Sequence, residues 1–387
     1  MGELATGYTL NVSFIYLDYN ATTPIDPRVA EAMGPFLSGG HGNPSSTHAE
    51  GRRAKAALES AREQVAECLA CRPSEMVFTS GGSESNNLAI RGLVEARGGG
   101  HVITSAIEHP AVLEVVLALE MEGRITLTIV GVDRFGLVDP ETVRAALRDD
   151  TVLVSLMLAN NEVGTLQPVA EVSELCRDQR VVLHVDAAQA VGKMPVDVND
   201  LGVDLLSVAG HKLYAPKGVG ALFIREGLRI EPQIRGAGHE NGRRAGTESV
   251  LLAIGLGTAC ELARREAAAE RDRMADLRDR LVERLREGRG DIVEHGHPEY
   301  RLPNTSSVGF PGSLAEEMLE SLADDLAASA GAACHAGSAT VSHVLQAMGV
   351  DPELAAATIR FSVGRFTTDE EIDYAAEMIL KRLNVSR

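Results

Sequence analysis

Lys212 and Lys217 share one short stretch, "SVAGHKLYAPKGVGAL" (207–222), but only Lys212 follows directly on an apolar run, just behind His211. Burial disfavours a charged ammonium, and the neutral amine it favours is a nucleophile. Lys217 lies in a Pro-Lys-Gly turn and is expected to be structural. Other reactive side chains follow other apolar runs. Gly81-Gly82-Ser83-Glu84 comes after "VFTS", Glu108-His109-Pro110 after "HVITS", and Asn160-Asn161-Glu162 after "SLMLA". Asp186 closes "VVLHVD", and Gln189 follows it three positions on. Taken singly each has an ordinary role: Asp186 a helix cap, His109 a core histidine, the asparagines a turn. Two glycines before a helix are often only a turn, yet they also offer backbone N–H groups to an anion.

Together these residues supply an anion cradle, a flat ring, a carboxylate, an amide and a lysine. Those are the groups that pyridoxal 5′-phosphate requires: a Schiff-base lysine, a carboxylate for the pyridine nitrogen and a ring to stack on. A phosphate-binding GxxxxGK[ST] loop and a dinucleotide-type GxGxxG near the first strand are both missing.

Such a constellation needs a scaffold that gathers strand ends. From about residue 75 to 225, "EMVFTS", "HVITS", "ITLTIVGV", "TVLVSLML", "VVLHVD", "DLLSVAG" and "GALFIR" read as seven strands. Amphipathic segments such as "ESNNLAIRGLVEA" and "PETVRAALR" lie between several of them. That alternation predicts an α/β domain with a mainly parallel sheet, whose ligands bind beyond the carboxyl ends of the strands. From about 257 to 288 one long charged helix is expected, followed by "TSSVGF", a helix, the small-residue segment around Cys334, and "ATIRFSVG". The expected division is a large α/β domain, 26–260, and a smaller α+β domain made of 1–25 and 261–387.

The chain has 387 residues, 44% of them hydrophobic, and a formal net charge of −18. The charge argues against nonspecific binding to nucleic acid or anionic membrane, so neither is an expected partner. The opening residues lack a signal-peptide layout and no run suits a membrane span, so a cytoplasmic location is expected. Cys68, Cys71, Cys176, Cys260 and Cys334 are odd in number and widely spaced, which suits reduced thiols. Cys68-Leu-Ala-Cys71 has no second pair to complete a zinc site, and His295-Gly-His297 reads as a loop, so no metal is expected.

The ordered motifs resemble the NifS/IscS-like cysteine desulfurases and related selenocysteine lyases, in the class V branch of fold-type I pyridoxal-phosphate enzymes. The resemblance runs from "YLDYNATTPIDPRV" and "GNPSSTHAEGRRA" through "TSGGSESNN", "NNEVGTLQPV", "HVDAAQAVGK" and "GHENGRRAGTESV" to "GAACHAGS" and "IRFSVGRFTTDEE". It implies Lys212 as the cofactor lysine, Asp186 for the pyridine nitrogen, Gln189 for the phenolic oxygen, and His109 for stacking and proton transfer. It further implies Gly82, Ser83 and His211 for the phosphate, with Thr247 reaching the phosphate of a neighbouring subunit in a homodimer. Asn161 and Arg360 are implied for the substrate carboxylate, while Asn304 matches a family asparagine without an assigned role. Many relatives carry a serine where this chain has Ala209, so one phosphate contact is expected to be missing.

Cys334 matches the family's sulfur-accepting cysteine, and its alanine- and glycine-rich surroundings suit a mobile loop. A reactive thiol must ionise, and neighbouring His335 would favour that. The implied reaction converts L-cysteine to L-alanine with a persulfide on Cys334, for transfer to an acceptor or scaffold protein such as those of iron–sulfur cluster assembly. Selenocysteine lyase acting on L-selenocysteine is the alternative, on the strength of "GAACH" and Ala209. A catalytically silent scaffold in a sulfur-transfer complex is the other class of reading, opposed by the presence of Lys212, Asp186 and Cys334. A plain aminotransferase would have no use for Cys334.

Overall fold

In the computed structural model, residues 14–335 and 338–385 are described, with the side chains of 332–340 and 384–385 left outside the description. All seven strands expected from the alternation lie in one sheet. Their spatial order is Met76–Thr79, Gly220–Ile224, Leu205–Ala209, Val182–Asp186, Thr151–Met157, Gly100–Ser105, Ile125–Val130. Gly220–Ile224 pairs antiparallel with both neighbours and every other pairing is parallel. The inner strands are buried on both faces because helices cover both, which is why they read as mainly apolar runs, broken in the central three by Ser155, His184 and Ser207. This is the α/β fold-type I architecture.

The parallel strands end along one edge, and the chemistry-bearing residues sit just past them. A serine–histidine–serine ladder stiffens that region: Ser155 Oγ lies 2.8 Å from His184 Nδ1, and His184 Nε2 lies 3.0 Å from Ser207 Oγ. His184 stands two residues before Asp186 and so faces the same way. Burial drives its pKa down to about 4, which leaves a neutral ring to bridge the two hydroxyls.

The long helix runs Val250–Gly288, beginning earlier than its charge pattern suggests because "VLLAIGLGTAC" is the part buried against the large core. Its first half packs Ala253, Leu256 and Ala259 into that core, and its second half packs Met274, Leu277, Leu281 and Leu285 into another. The second core collects Ile15 and Leu17 from the start of the described chain and Ile372, Ala376, Ile379 and Leu383 from the helix Asp369–Val385. Over it lies an antiparallel sheet ordered Ser329–Ala330, Thr358–Ser362, Thr305–Gly309, Val293–His295.

Two expectations need correction. The segment around Cys334, expected as a loop, forms an antiparallel strand pair in which Ala332–His335 faces Ser338–Val341 and Cys334 sits opposite Ala339. β-Branched Thr340 and Val341 opposite alanines favour that pairing over irregular backbone. His295 ends a strand with its ring buried, 3.2 Å from Thr358 Oγ1, so it is a satisfied core histidine and not a loop residue.

Candidate active site

A cavity of about 180 Å³ opens at the carboxyl ends of the parallel strands, lined among others by Gly82, Ser83, His109, Asp186, Gln189 and Lys212. Asn161, Ala209 and His211 also border it. Residues implied for the cofactor are thus brought together from sites more than a hundred positions apart.

Gly81 caps the helix Gly82–Arg97 with φ of +152°, a conformation that disfavours side chains. Gly220 explains why the turn can lie so low. A Cβ there would fall 2.7 Å from Gly81 Cα. The helix bonds begin at Ser85 N–H, which reaches Gly81 O at 3.0 Å, so the amides of Gly82, Ser83 and Glu84 in the first turn remain for an anion. Glu84, in the first turn, accepts from Ser80 N–H at 2.8 Å and from Arg244 Nε at 2.9 Å, which ties this loop to the "RRAGT" segment.

Asp186 is buried and held from two sides. Asn86 Nδ2 donates to Oδ2 at 2.7 Å and Ala188 N–H to Oδ1 at 2.9 Å. Because a carboxylate must be met by the amide's nitrogen, Asn86 Oδ1 is turned away, and it is a buried atom without a partner.

His109 caps the helix Pro110–Met121, its Nδ1 accepting Ala111 N–H at 3.0 Å. The neutral ring therefore carries its proton on Nε2. Desolvation lowers its pKa, Lys212 and His343 reinforce this, and Asp186 opposes it. His211 Nδ1 lies 3.2 Å from Thr22 Oγ1, and desolvation with Lys212 nearby takes its pKa down to about 4.

Lys212 donates to two backbone carbonyls, Asn20 O at 2.6 Å and Ala21 O at 2.8 Å. Burial, then Arg360, lowers its pKa to about 8, partly offset by Asp18 and Asp186. Lys217 is exposed. Arg360 gives its terminal nitrogens to Asn161 O at 3.0 Å, Asp18 at 2.8 Å and Ser329 Oγ at 2.7 Å, while its buried Nε has no partner. Asn304 is buried, its Nδ2 bonded to Asn20 Oδ1 and Val363 O.

Thr247 and Arg360 are not among the residues lining the cavity, although Arg360 donates to the backbone of Asn161, which does line it. Thr247 is exposed and borders a separate depression with Ser80, Arg244 and Glu248. Cys334 is on its strand, and its side chain lies outside the described residues. Among the described residues, no group of acidic, histidine or cysteine side chains could hold a metal, and no helix is long and apolar enough to cross a membrane.

Four buried residues of the site were missed by the sequence analysis: Asn20, Asn86, Glu108 and Lys193. Glu108 was quoted only as the neighbour of His109. Its Oε1 accepts Ser105 Oγ at 2.7 Å and Met157 N–H at 2.8 Å, while Oε2 has no partner. Burial raises its pKa to about 8, and Asp186 adds to the rise.

The folded protein therefore holds this proton to higher pH than the unfolded chain, whose carboxyl releases it near 4.5. The associated stability is complete below that pH and is lost as pH rises towards about 8, at up to about 1.4 kcal/mol per unit. Glu108→Gln should escape this loss, so its Tm relative to wild type should climb through that window. A constant difference between about pH 5 and 8 would show that Glu108 is already ionised.

The fold and the strand-end cavity define a class, and comparison with known proteins gives the same one. The Aminotransferase class-V family model matches residues 15–375. The cysteine desulfurase IscS of Pectobacterium carotovorum subsp. carotovorum (strain PC1) is 47% identical over 379 residues, covering 95% of this chain and 92% of the relative. A solved NifS-like protein superposes with a TM-score of 0.90 at 38% identity, covering 96% of this chain and 100% of the other. A structure of SspA in complex with cysteine superposes with a TM-score of 0.81 at 36% identity, covering 92% of this chain and 100% of that one. The chain belongs to the class-V aminotransferase family and, within it, to the NifS/IscS-like cysteine desulfurases, which are pyridoxal-phosphate enzymes.

Proposed function

We propose that the protein uses pyridoxal phosphate to convert L-cysteine to L-alanine and leaves the sulfur on Cys334 as a persulfide. The observation that carries this is the meeting of Lys212, Asp186, His109 and Gln189 around one cavity in a chain of this family. Selenocysteine is not favoured as the substrate, since the relatives above are cysteine desulfurases.

Three features support the fit of the cofactor. The free amides opening the helix Gly82–Arg97, with Ser83 and His211, suit a phosphate. The braced Asp186 carboxylate suits a protonated ring nitrogen. The gap is close-set where Gly82 meets Ala209, since a Cβ on Gly82 would stand 3.3 Å from Ala209 Cβ. When bound, the cofactor supplies the electron sink that makes the substrate's Cα hydrogen removable.

The chain's own residues do the rest. Lys212 holds the cofactor, and with His109 it moves protons at the substrate carbons. Gln189 takes the phenolic oxygen, and Asn161 and Arg360 take the substrate carboxylate. The Cys334 thiolate attacks the substrate sulfur, forming an S–S bond as the Cβ–S bond breaks. The carbon fragment keeps that bond's electron pair and gains a proton to become the alanine methyl.

The persulfide would then pass to an acceptor or scaffold protein, as in iron–sulfur cluster assembly. We propose a homodimer in which the exposed Thr247 completes the phosphate site of a second copy. The two cores support two domains, for which we propose 26–260 and 1–25 with 261–387, although Leu262 and Leu302 also pack into the larger core. Unpaired Cys68, Cys71, Cys176 and Cys260 support a reducing, cytoplasmic setting.

Alanine release from L-cysteine by purified protein, dependent on added pyridoxal phosphate, is the expected result. Formation of 3-mercaptopyruvate that depends on an added 2-oxo acid as amino acceptor, with no alanine released in its absence, would assign a transaminase instead. Arg360→Lys should raise KM for L-cysteine by about tenfold or more, because an ammonium cannot reproduce the planar fork. An unchanged KM would remove Arg360 from the carboxylate site.

A further inference from the structure

Lys193 is a second buried lysine beside the cavity, and the reaction described above gives it no task. Its Nζ donates to Gln189 Oε1 at 2.5 Å and to Asn20 Oδ1 at 2.8 Å. Both acceptors, and Lys193 itself, are buried.

The Asn20 amide is fixed independently. Its Nδ2 donates to Thr305 Oγ1 at 2.8 Å and to Asn161 O at 3.1 Å. Its Oδ1 therefore faces Lys193 and also accepts Asn304 Nδ2 at 3.0 Å. Asn20 is a fixed post, and Lys193 is suspended between it and Gln189.

The consequence falls on Gln189. A primary amide can present either its carbonyl or its NH₂ group in a given direction, and only its partners decide which. Lys193 occupies the carbonyl side. The opposite side, Nε2, spends one hydrogen on Asn20 O at 3.0 Å. Gln189 borders the cavity, so its second Nε2 hydrogen is what remains for a ligand.

We propose that Lys193 is a positioning residue that locks the Gln189 amide with its N–H, and not its carbonyl, available to the cavity. The site then recognises an acceptor oxygen, and prefers it ionised, at the position Gln189 reaches. This deepens the functional reading given above and rests on it, because that oxygen is the phenolic oxygen of the cofactor. Lys193 touches neither substrate nor cofactor in this scheme and acts through Gln189 alone.

The test compares Lys193→Met, Gln189→Ala and the double variant in reconstituted protein, reading the pH titration of the visible cofactor band and the Kd for pyridoxal phosphate. Methionine fills the volume but donates nothing to Gln189. Each single variant should shift the titration in the same direction and weaken cofactor binding by about tenfold, the worth of one hydrogen bond to a charged acceptor. The double variant should be no worse than Gln189→Ala, since coupled residues are non-additive.

A shift in Gln189→Ala with none in Lys193→Met would overturn the inference alone. No shift in Gln189→Ala would overturn both the inference and the cofactor role assigned to Gln189. If Lys193→Met does not fold, Gln189→Glu decides the matter. Its carboxylate pairs with Lys193 but offers the cavity only acceptors, so cofactor binding should fall sharply. Wild-type binding in that variant would mean that the carbonyl face was the one in use.

Discussion

Replacing Lys212 with alanine is expected to lower L-cysteine turnover by on the order of 10⁴-fold or more, the scale reached when a nucleophile working in concert with its neighbours is removed. The absorbance of lysine-linked cofactor should vanish, although the phosphate and ring contacts still allow noncovalent binding. Lys217→Ala should do neither, because Lys217 is exposed in its turn. What separates the two lysines is environment. Lys212 is partly buried, bonded to Asn20 O and Ala21 O, and its pKa falls to about 8. Near neutral pH a usable share of the amine is therefore unprotonated, and that share rises with pH through about 8. Labelling of cofactor-free protein with an amine-reactive reagent, followed by mass spectrometry, should show Lys212 reacting along that profile. Reversed behaviour of the two lysine variants would overturn the assignment.

The second large effect belongs to Cys334. Cys334→Ala should still bind cofactor and L-cysteine, because those contacts belong to residues around the strand-end cavity. Alanine formation should nonetheless collapse by on the order of 10³-fold or more, since no thiolate is left to take the sulfur. Selenium leaves carbon more readily than sulfur does, so activity on L-selenocysteine should survive far better in the same variant. Parallel rates on both substrates measure this. Undiminished desulfuration of cysteine would remove Cys334 from the reaction, and equal losses on both substrates would remove the leaving-group argument.

Much of this site was legible in the sequence because a parallel sheet turns order along the chain into position in space. Asp186, Gln189, His211 and Lys212 each follow an apolar run, and a run's end is a strand's end. The seven strands were equally legible, since burial on both faces leaves mostly apolar stretches in the inner ones and the edge strand Ile125–Val130 alternates apolar residues with threonine. What stayed hidden depends on closure of the chain. Asn20 reaches Lys193 and Thr305 across 173 and 285 positions, and no local pattern encodes those contacts. Glu108 and Asn86 looked like a polar neighbour and a helix residue, because the strands that bury them are distant in sequence. Around Cys334, composition suggested a loop, since alanine and glycine carry little strand signal. Pairing with the "SATV" segment supplied the partner that composition could not reveal. His295 misled for a similar reason: the flanking glycine reads as a turn, while its strand is set by pairing with Ser307.

The central claim is that sulfur leaves L-cysteine for Cys334, and a single-turnover experiment tests it most directly. Reconstituted protein is mixed with one equivalent of L-cysteine, quenched with a thiol-blocking reagent, digested and examined by mass spectrometry while free alanine is measured in parallel. One alanine per chain and one added sulfur atom on the peptide bearing Cys334 are the predicted results. Alanine accompanied by free sulfide, or by an added sulfur on Cys68, Cys71, Cys176 or Cys260 with Cys334 unmodified, would contradict the account.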